Sequence, residues 1–275
     1  HLGHSFPTRR SSDLGFMQNA LIASVLISIL FPIVGVFLVL KRYSMMGDTM
    51  SHASFAGVAI GLVLGYNPII CAFVFTALCG LSIEFLRDYY KKYAELILAI
   101  LLTFSVGVGI TLVSTGKAGA NVNSYLFGSI LTVTKNDLYI MLVLSIISIV
   151  TLLSLYNQLL YITFDEEGAK VSGVKVKVIN YVFALLVGAT ISASLRILGI
   201  LVMSSMIALP VATSLQLNKG FKHTLLYSIM FGFIDIILGL LISYYINCAP
   251  GGTIALTSVF VLVLVIGSKK AFSRV

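Results

Sequence analysis

Charge is what this chain has least of. Charged residues make up 10% of it, where a soluble globular domain carries about a quarter, and that scarcity excludes such a domain. Cysteine is scarce too: Cys71, Cys79 and Cys248 stand in no paired spacing such as C-x-x-C, which excludes a disulfide framework and a zinc knuckle and leaves them as packing residues. A P-loop is missing. The one Gly-Lys pair, Gly116-Lys117, runs on into Ala118 without the upstream Gly, so the chain does not hold ATP by that device, and ATP hydrolysis is not expected of it. There is no H-E-x-x-H either, and His52 is the one histidine away from the ends of an apolar run. An intramembrane metalloprotease, which needs a third protein ligand and a general base, is therefore disfavoured. The two halves also lack the internal repeat typical of ion-coupled secondary transporters.

Hydrocarbon is what the chain has instead. Hydrophobic residues make up 59%, and the mean hydropathy is +1.05. The formal charge of +8 is dispersed through short joints between apolar runs, which points to membrane orientation and not to a nucleic-acid partner. Nine runs are long enough to cross a bilayer, near 17–40, 48–65, 68–86, 94–115, 137–156, 178–195, 197–217, 223–245 and 253–268. With the N-terminus outside, the cytoplasmic joints receive Lys41, Arg42, Arg87, Lys91, Lys92, Lys170, Lys175, Lys177, Lys219, Lys222, Lys269, Lys270 and Arg274. The external joints receive only Lys117, Lys135 and Arg196. That asymmetry predicts an all-α, N-out/C-in polytopic membrane protein. The stretch 123–134 is too short to cross and is expected to dip in from outside or lie at the interface, and Ser192–Arg196 is expected to form a tight external turn. Residues 1–16 are polar with no apolar h-region, so they read as a non-native or disordered leader and not a signal peptide, ahead of a transmembrane domain over 17–275.

Asp48 and His52 stand four apart on the second run, one helical turn, so both side chains leave one helix face. Ionisable groups inside a span cost roughly 2.5–3.5 kcal/mol each on insertion scales and face a polar path or a partner. A carboxylate with an imidazole suits first-row divalent cations. The alternative is that Asp48 caps the helix and His52 bonds a neighbouring carbonyl. Ala53, Gly57, Gly61 and Gly65 recur every fourth residue on the same run and predict close approach of a neighbouring helix. Asp235, mid-way along the eighth run, is either a further metal ligand or an acid hydrogen-bonded between helices. Met203-Ser204-Ser205-Met206 either line a constriction or pack the core, and Pro210 interrupts the same helix. Glu84 and Glu95, at cytoplasmic span ends, are expected to be solvated. The joint 157–177 is the longest cytoplasmic connection. It carries the acidic triplet Asp165-Glu166-Glu167 against the local charge bias, and a short helix within 164–174 is expected to end at Gly168 or Gly173.

Several segments together resemble the permease of the ABC-type zinc/manganese/iron importers. They are Lys41-Arg42 with Gly47-Asp48-x-x-Ser51-His52, Tyr125-Leu126-Phe127-Gly128-Ser129-Ile130-Leu131, and Thr163-Phe164-Asp165-Glu166-Glu167-Gly168-Ala169. Leu198-Gly199-Ile200-Leu201-Val202 with Ala208-Leu209-Pro210, and Ser243-Tyr244-Tyr245 ahead of Gly251, follow in the same order. The resemblance implies a type II importer-like permease in the bacterial cell (inner) membrane, a homodimer whose interface forms the path, with no permanently bound cofactor. It implies a transported zinc or manganese ion, with iron as a further option, held by Asp48 and His52. It also implies a cytoplasmic ATPase dimer and an extracytoplasmic metal-binding protein as partners. The loop bearing Phe164, Asp165, Glu166, Glu167, Gly168 and Gly173 would enter a cleft of the ATPase. A permease for a metal chelate such as a siderophore or cobalamin is the alternative within the same class.

Overall fold

In lipid every backbone polar group must be satisfied within its own segment, so apolar runs of this length become helices. The computed structural model describes residues 11–90, 93–117, 122–129, 134–246 and 248–272. They form α1 (Ser11–Leu40), α2 (Ser44–Leu64), α3 (Pro68–Tyr89), α4 (Ala94–Ser114), α5 (Val122–Phe127) and α6 (Lys135–Ser154). Then come α7 (Tyr156–Phe164), α8 (Glu166–Val171), α9 (Val176–Leu198), α10 (Ile200–Leu215), α11 (Phe221–Ile246) and α12 (Pro250–Phe272). Among the described residues there is no strand. Local chemistry sets several of the starts. Asn67 accepts from the backbone N–H of Ile69 at 2.9 Å with Pro68 in the first turn of α3, and Thr134 and Asp137 form a reciprocal capping box on α6.

Each of the nine expected runs coincides with a helix, but the count of membrane-crossing helices needs correction. Among the described residues seven helices are long and apolar enough to cross: α1, α3, α4, α6, α9, α11 and α12. The 16 residues of α10 reach only about 24 Å against a hydrocarbon core of about 30 Å. Helix α2 is long enough, but Asp48, Ser51, His52 and Ser54 dilute its first half. Both exceptions lie inside the bundle, α2 between α3 and α4 and α10 against α1, α2, α11 and α12, where protein and not lipid covers them. Burial ranks the helices in the same sense: 78% of the α9 window and 67% of the α1 window are buried, against 22% for α4 and α12.

The turn expected at Ser192–Arg196 is absent. These residues continue α9, because the hydroxyls of Ser192 and Ser194 are buried and donate to the carbonyls of Gly188 and Thr190, each at 2.8 Å. The break comes at Gly199 (φ +73), where an added Cβ would lie 2.6 Å from the Leu126 carbonyl oxygen, so only glycine lets α5 approach. Ser129 N–H donates to the Arg196 carbonyl at 2.8 Å. The Arg196 guanidinium meets the Asp137 carboxylate at 3.2 Å and donates to the Tyr125 hydroxyl at 2.7 Å. The non-spanning stretch is thereby fastened to the ends of α6 and α9. Residues 130–133 and 1–10 lie outside the described residues, and 11–16 of the expected leader form the opening turns of α1.

Candidate metal path

Helix α2 is held from several sides. Thr49 donates to the Leu98 carbonyl of α4 at 3.2 Å, Gly47 faces Ile207 of α10, and Gly109 of α4 packs on the ring of Phe55. From Met46 to Ala59 every residue is buried except Asp48 and His52. Their side chains are 40% and 29% exposed, with His52 Nε2 3.9 Å from Asp48 Oδ1. Asp48 does not cap the helix, because α2 begins a turn earlier, after Tyr43. Two donors one turn apart, the uncovered positions between Met46 and Ala59, can hold part of a cation's coordination shell. Among the described residues no third His, Cys, Asp or Glu joins them.

The small-residue stripe fixes the rotation that leaves this pair open. A Cβ on Gly57 would lie 2.5 Å from the Ala72 Cα, and one on Gly61 2.9 Å from the Pro68 Cα, so α3 lies backbone to backbone on that face; Ala53 is fully buried. Gly65 does not pack. It closes α2 at φ +75, where an added Cβ would meet nothing within 4 Å, and its N–H donates to the Gly61 carbonyl, so its role is the left-handed cap.

Asp235 is not brought to the pair. It lies fully buried on α11 and accepts from Ser258 of α12 at 2.6 Å, and α11 packs on α1, α10 and α12. Met203 and Met206 are buried in the core, as the packing alternative required.

At the cytoplasmic end α7 and α8 form a short hairpin. Asp165 caps α8 by accepting from the Gly168 N–H at 2.8 Å. Gly168 is therefore inside the helix, where its lack of a side chain makes room for the Asp165 carboxylate. The helix ends ahead of Gly173 (φ +81), with Val174 N–H donating to Ala169 at 3.0 Å. Ala169 is fully buried, and Phe164 packs edge-on to Phe221 of α11 at 6.0 Å. Lys170 binds Glu166 at 3.0 Å and Glu167 at 3.1 Å, and these hydrogen bonds raise its pKa.

Sequence reasoning missed what lies beneath α8. Glu84 is buried, not solvated, and pairs with Arg87 at 3.2 Å. Arg87 also donates to the Tyr43 hydroxyl at 2.9 Å and faces Glu166 at 4.0 Å. Burial raises the Tyr43 pKa. Lys41 donates to Asn180 at 2.9 Å over the Phe183 ring, and burial, the largest influence on it, draws its ammonium down to about 8. The i, i+3 spacing of Glu84 and Arg87 was the one available signal.

These features define a class: a helical membrane permease with a polar pair open on an inner helix and a capped acidic helix at one end. The model of the ABC 3 transport family matches residues 13–269, and the chain belongs to that family. It is a multi-pass protein of the bacterial inner membrane. A probable metal transport system membrane protein of Treponema pallidum (strain Nichols) is 53% identical over 251 residues, covering 91% of this chain and 94% of that protein. The manganese import system permease protein ScaB of Streptococcus gordonii is 31% identical, covering 92% of this chain and 91% of that one. The solved structure of PsaBC from Streptococcus pneumoniae in complex with Fab superposes with a TM-score of 0.80 at 30% identity, covering 91% of this chain and 90% of that one. A solved structure described as an inward-facing conformation of a putative metal-chelate type ABC transporter shares the fold, with a TM-score of 0.68 at 18% identity over 96% of this chain and 91% of that one.

Proposed function

We propose that the chain is the membrane permease subunit of an ATP-binding-cassette importer of a divalent transition-metal ion, with manganese as the first candidate and Asp48 and His52 as its transient ligands. The observation that carries this is the uncovered pair on an otherwise buried stretch of α2. Two ligands per chain hold a cation weakly, and a second copy across a two-fold axis supplies two more, so a homodimer with the path at its interface completes the site. Carboxylate and imidazole together suit manganese or zinc, and the manganese names of relatives such as ScaB favour the former. A site weak enough to release its ion suits conduction. Hydrolysis of ATP belongs to a separate cytoplasmic ATPase dimer docked on α8, and delivery belongs to an extracytoplasmic metal-binding protein.

The test is uptake of manganese and zinc in liposomes holding the permease, its ATPase and its binding protein. ATP-dependent manganese uptake that Asp48→Ala and His52→Ala each abolish is the expected result. Uptake of a chelate in place of the free ion, or wild-type manganese uptake by the double variant, would overturn the assignment.

A further inference from the structure

The ends of three sequence-distant segments meet at one guanidinium. Arg87 occupies the last turn of α3 with its side chain 15% exposed. Its Nη2 lies 3.2 Å from Glu84 Oε2 on the same helix and 4.0 Å from Glu166 Oε1 on α8. Its Nη1 donates to Tyr43 Oη at 2.9 Å, and the guanidinium carbon stands 5.4 Å from the Tyr43 ring centroid. Tyr43 immediately precedes α2, and its carbonyl accepts from the Met46 N–H at 2.8 Å. Asp48 follows one turn further on. Because Gly57 and Gly61 lock α2 to α3 backbone to backbone, a shift at this end moves the two helices together.

We propose that Arg87 is a positioning residue that passes movement of α8 to the α2–α3 pair and so to Asp48 and His52. This rests on the permease assignment and deepens it by naming the link between ATPase docking and the metal ligands. A planar guanidinium that bonds Tyr43 and Glu84 while facing Glu166 at 4.0 Å suits this task, where an ammonium would act as a point charge. A merely structural tie would hold the cytoplasmic end together and change the amount of folded protein, but not the metal moved for each ATP consumed.

That ratio is therefore the readout. In liposomes carrying the complete importer, manganese uptake and ATP hydrolysis are measured together for Arg87→Gln, Glu166→Gln, the double variant and Arg87→Lys. We expect each Gln variant to lower the manganese transported per ATP by about fivefold or more, the scale of a coupling free energy between sites. The manganese concentration for half-maximal uptake should stay unchanged, because the ligands are untouched. The double variant should be no worse than the more impaired single one, because both break the same link, and Arg87→Lys should recover part of the ratio. Glu166 is 38% exposed, so its variant tests the link even where Arg87→Gln fails to fold. An unchanged ratio in a Glu166→Gln complex that still binds its ATPase, or losses that multiply in the double variant, would overturn the proposal while leaving the permease assignment intact. A wild-type complex that moves no metal would overturn both.

Discussion

Asp48 and Asp235 are both carboxylates on long apolar helices, and the fold treats them in opposite ways. Asp235 is sealed, fully buried and fastened to α12 by the Ser258 hydroxyl, with its second oxygen lacking a hydrogen-bond partner. Asp48 is left open beside an imidazole on a helix that is otherwise covered from Met46 to Ala59. A sealed acid serves helix association, because its hydrogen bond must be made inside the protein. An open one lacks such a packing bond, and within a membrane protein that makes it the candidate for an incoming ligand. Exposure within a span, more than charge itself, separates the two roles.

The sharpest way to break this comparison is to exchange the losses. Asp48→Ala and His52→Ala should reduce metal accumulation to that of cells lacking the permease, at normal membrane abundance, because removing either donor leaves a single ligand per chain. Asp235→Asn keeps the shape and an acceptor for Ser258, and it should retain most of the uptake. Metal accumulation measured beside immunoblotted abundance decides it: an inactive Asp235→Asn with an active Asp48→Ala would reverse the assignment.

A smaller loss is expected at the docking end. Replacing Asp165, Glu166 and Glu167 with Ser removes the negative charge of α8 but keeps its start, because Ser caps a helix about as well as Asp. The open pair is untouched. ATPase co-purification and binding-protein-stimulated hydrolysis should fall, while the isolated permease keeps its fold. A cysteine at Val171, which is 88% exposed, should label freely in the isolated permease and be protected in the complex. Equal labelling in both, with full stimulation, would make α8 a solvated linker.

Smaller again is the effect of filling the stripe that aims the pair. Gly61→Leu places a side chain where α3 backbone already lies and should destabilise by about 1–3 kcal/mol. Selectivity among metals should be unchanged in the protein that folds. Thermal unfolding in detergent reads this directly, and wild-type stability would mean that α3 does not lie where the glycines put it.

How much of this could be read from the sequence follows from how local each signal is. The nine helices were legible because apolar length and charge asymmetry are properties of single segments. The i, i+4 spacing of Asp48 and His52 and the short acidic helix after Phe164 were legible for the same reason. Ser192 and Ser194 misled because a hydroxyl that back-bonds to its own helix is indistinguishable in sequence from one that faces water. Gly65 looked like a fourth packing residue because its spacing continues the stripe, although its φ, a property of the chain reversal, gives it a different role. The Arg87 cluster was illegible because Tyr43, Glu84 and Glu166 come from three segments whose meeting is purely tertiary. Glu84, placed by its sequence at a wet span end, is buried by that meeting.

Lys41 sharpens the contrast at its smallest scale, as a charged group that the fold partly seals without giving it a carboxylate of its own. Its ammonium donates to Asn180 and lies over Phe183, with Glu84, Arg87 and Glu166 as the nearby charges. Burial is the largest influence and draws its pKa from 10.5 to about 8. In the unfolded chain the group stays protonated up to its ordinary value. Between about 8 and 10.5 the unfolded state therefore binds more protons, and stability rises with pH. The burden of holding the charge is fully present below about 8 and is relieved as pH climbs through that value. From pH 7 to pH 9 this one group should add about 1 kcal/mol. Lys41→Met keeps the apolar stem and removes the titration, so the difference in thermal stability between wild type and variant separates the effect of this ammonium from that of every other group. A difference that stays flat from pH 7 to pH 9, or that runs in the opposite direction, would mean that Lys41 is as well solvated as a surface lysine and that the cytoplasmic cluster is open to water.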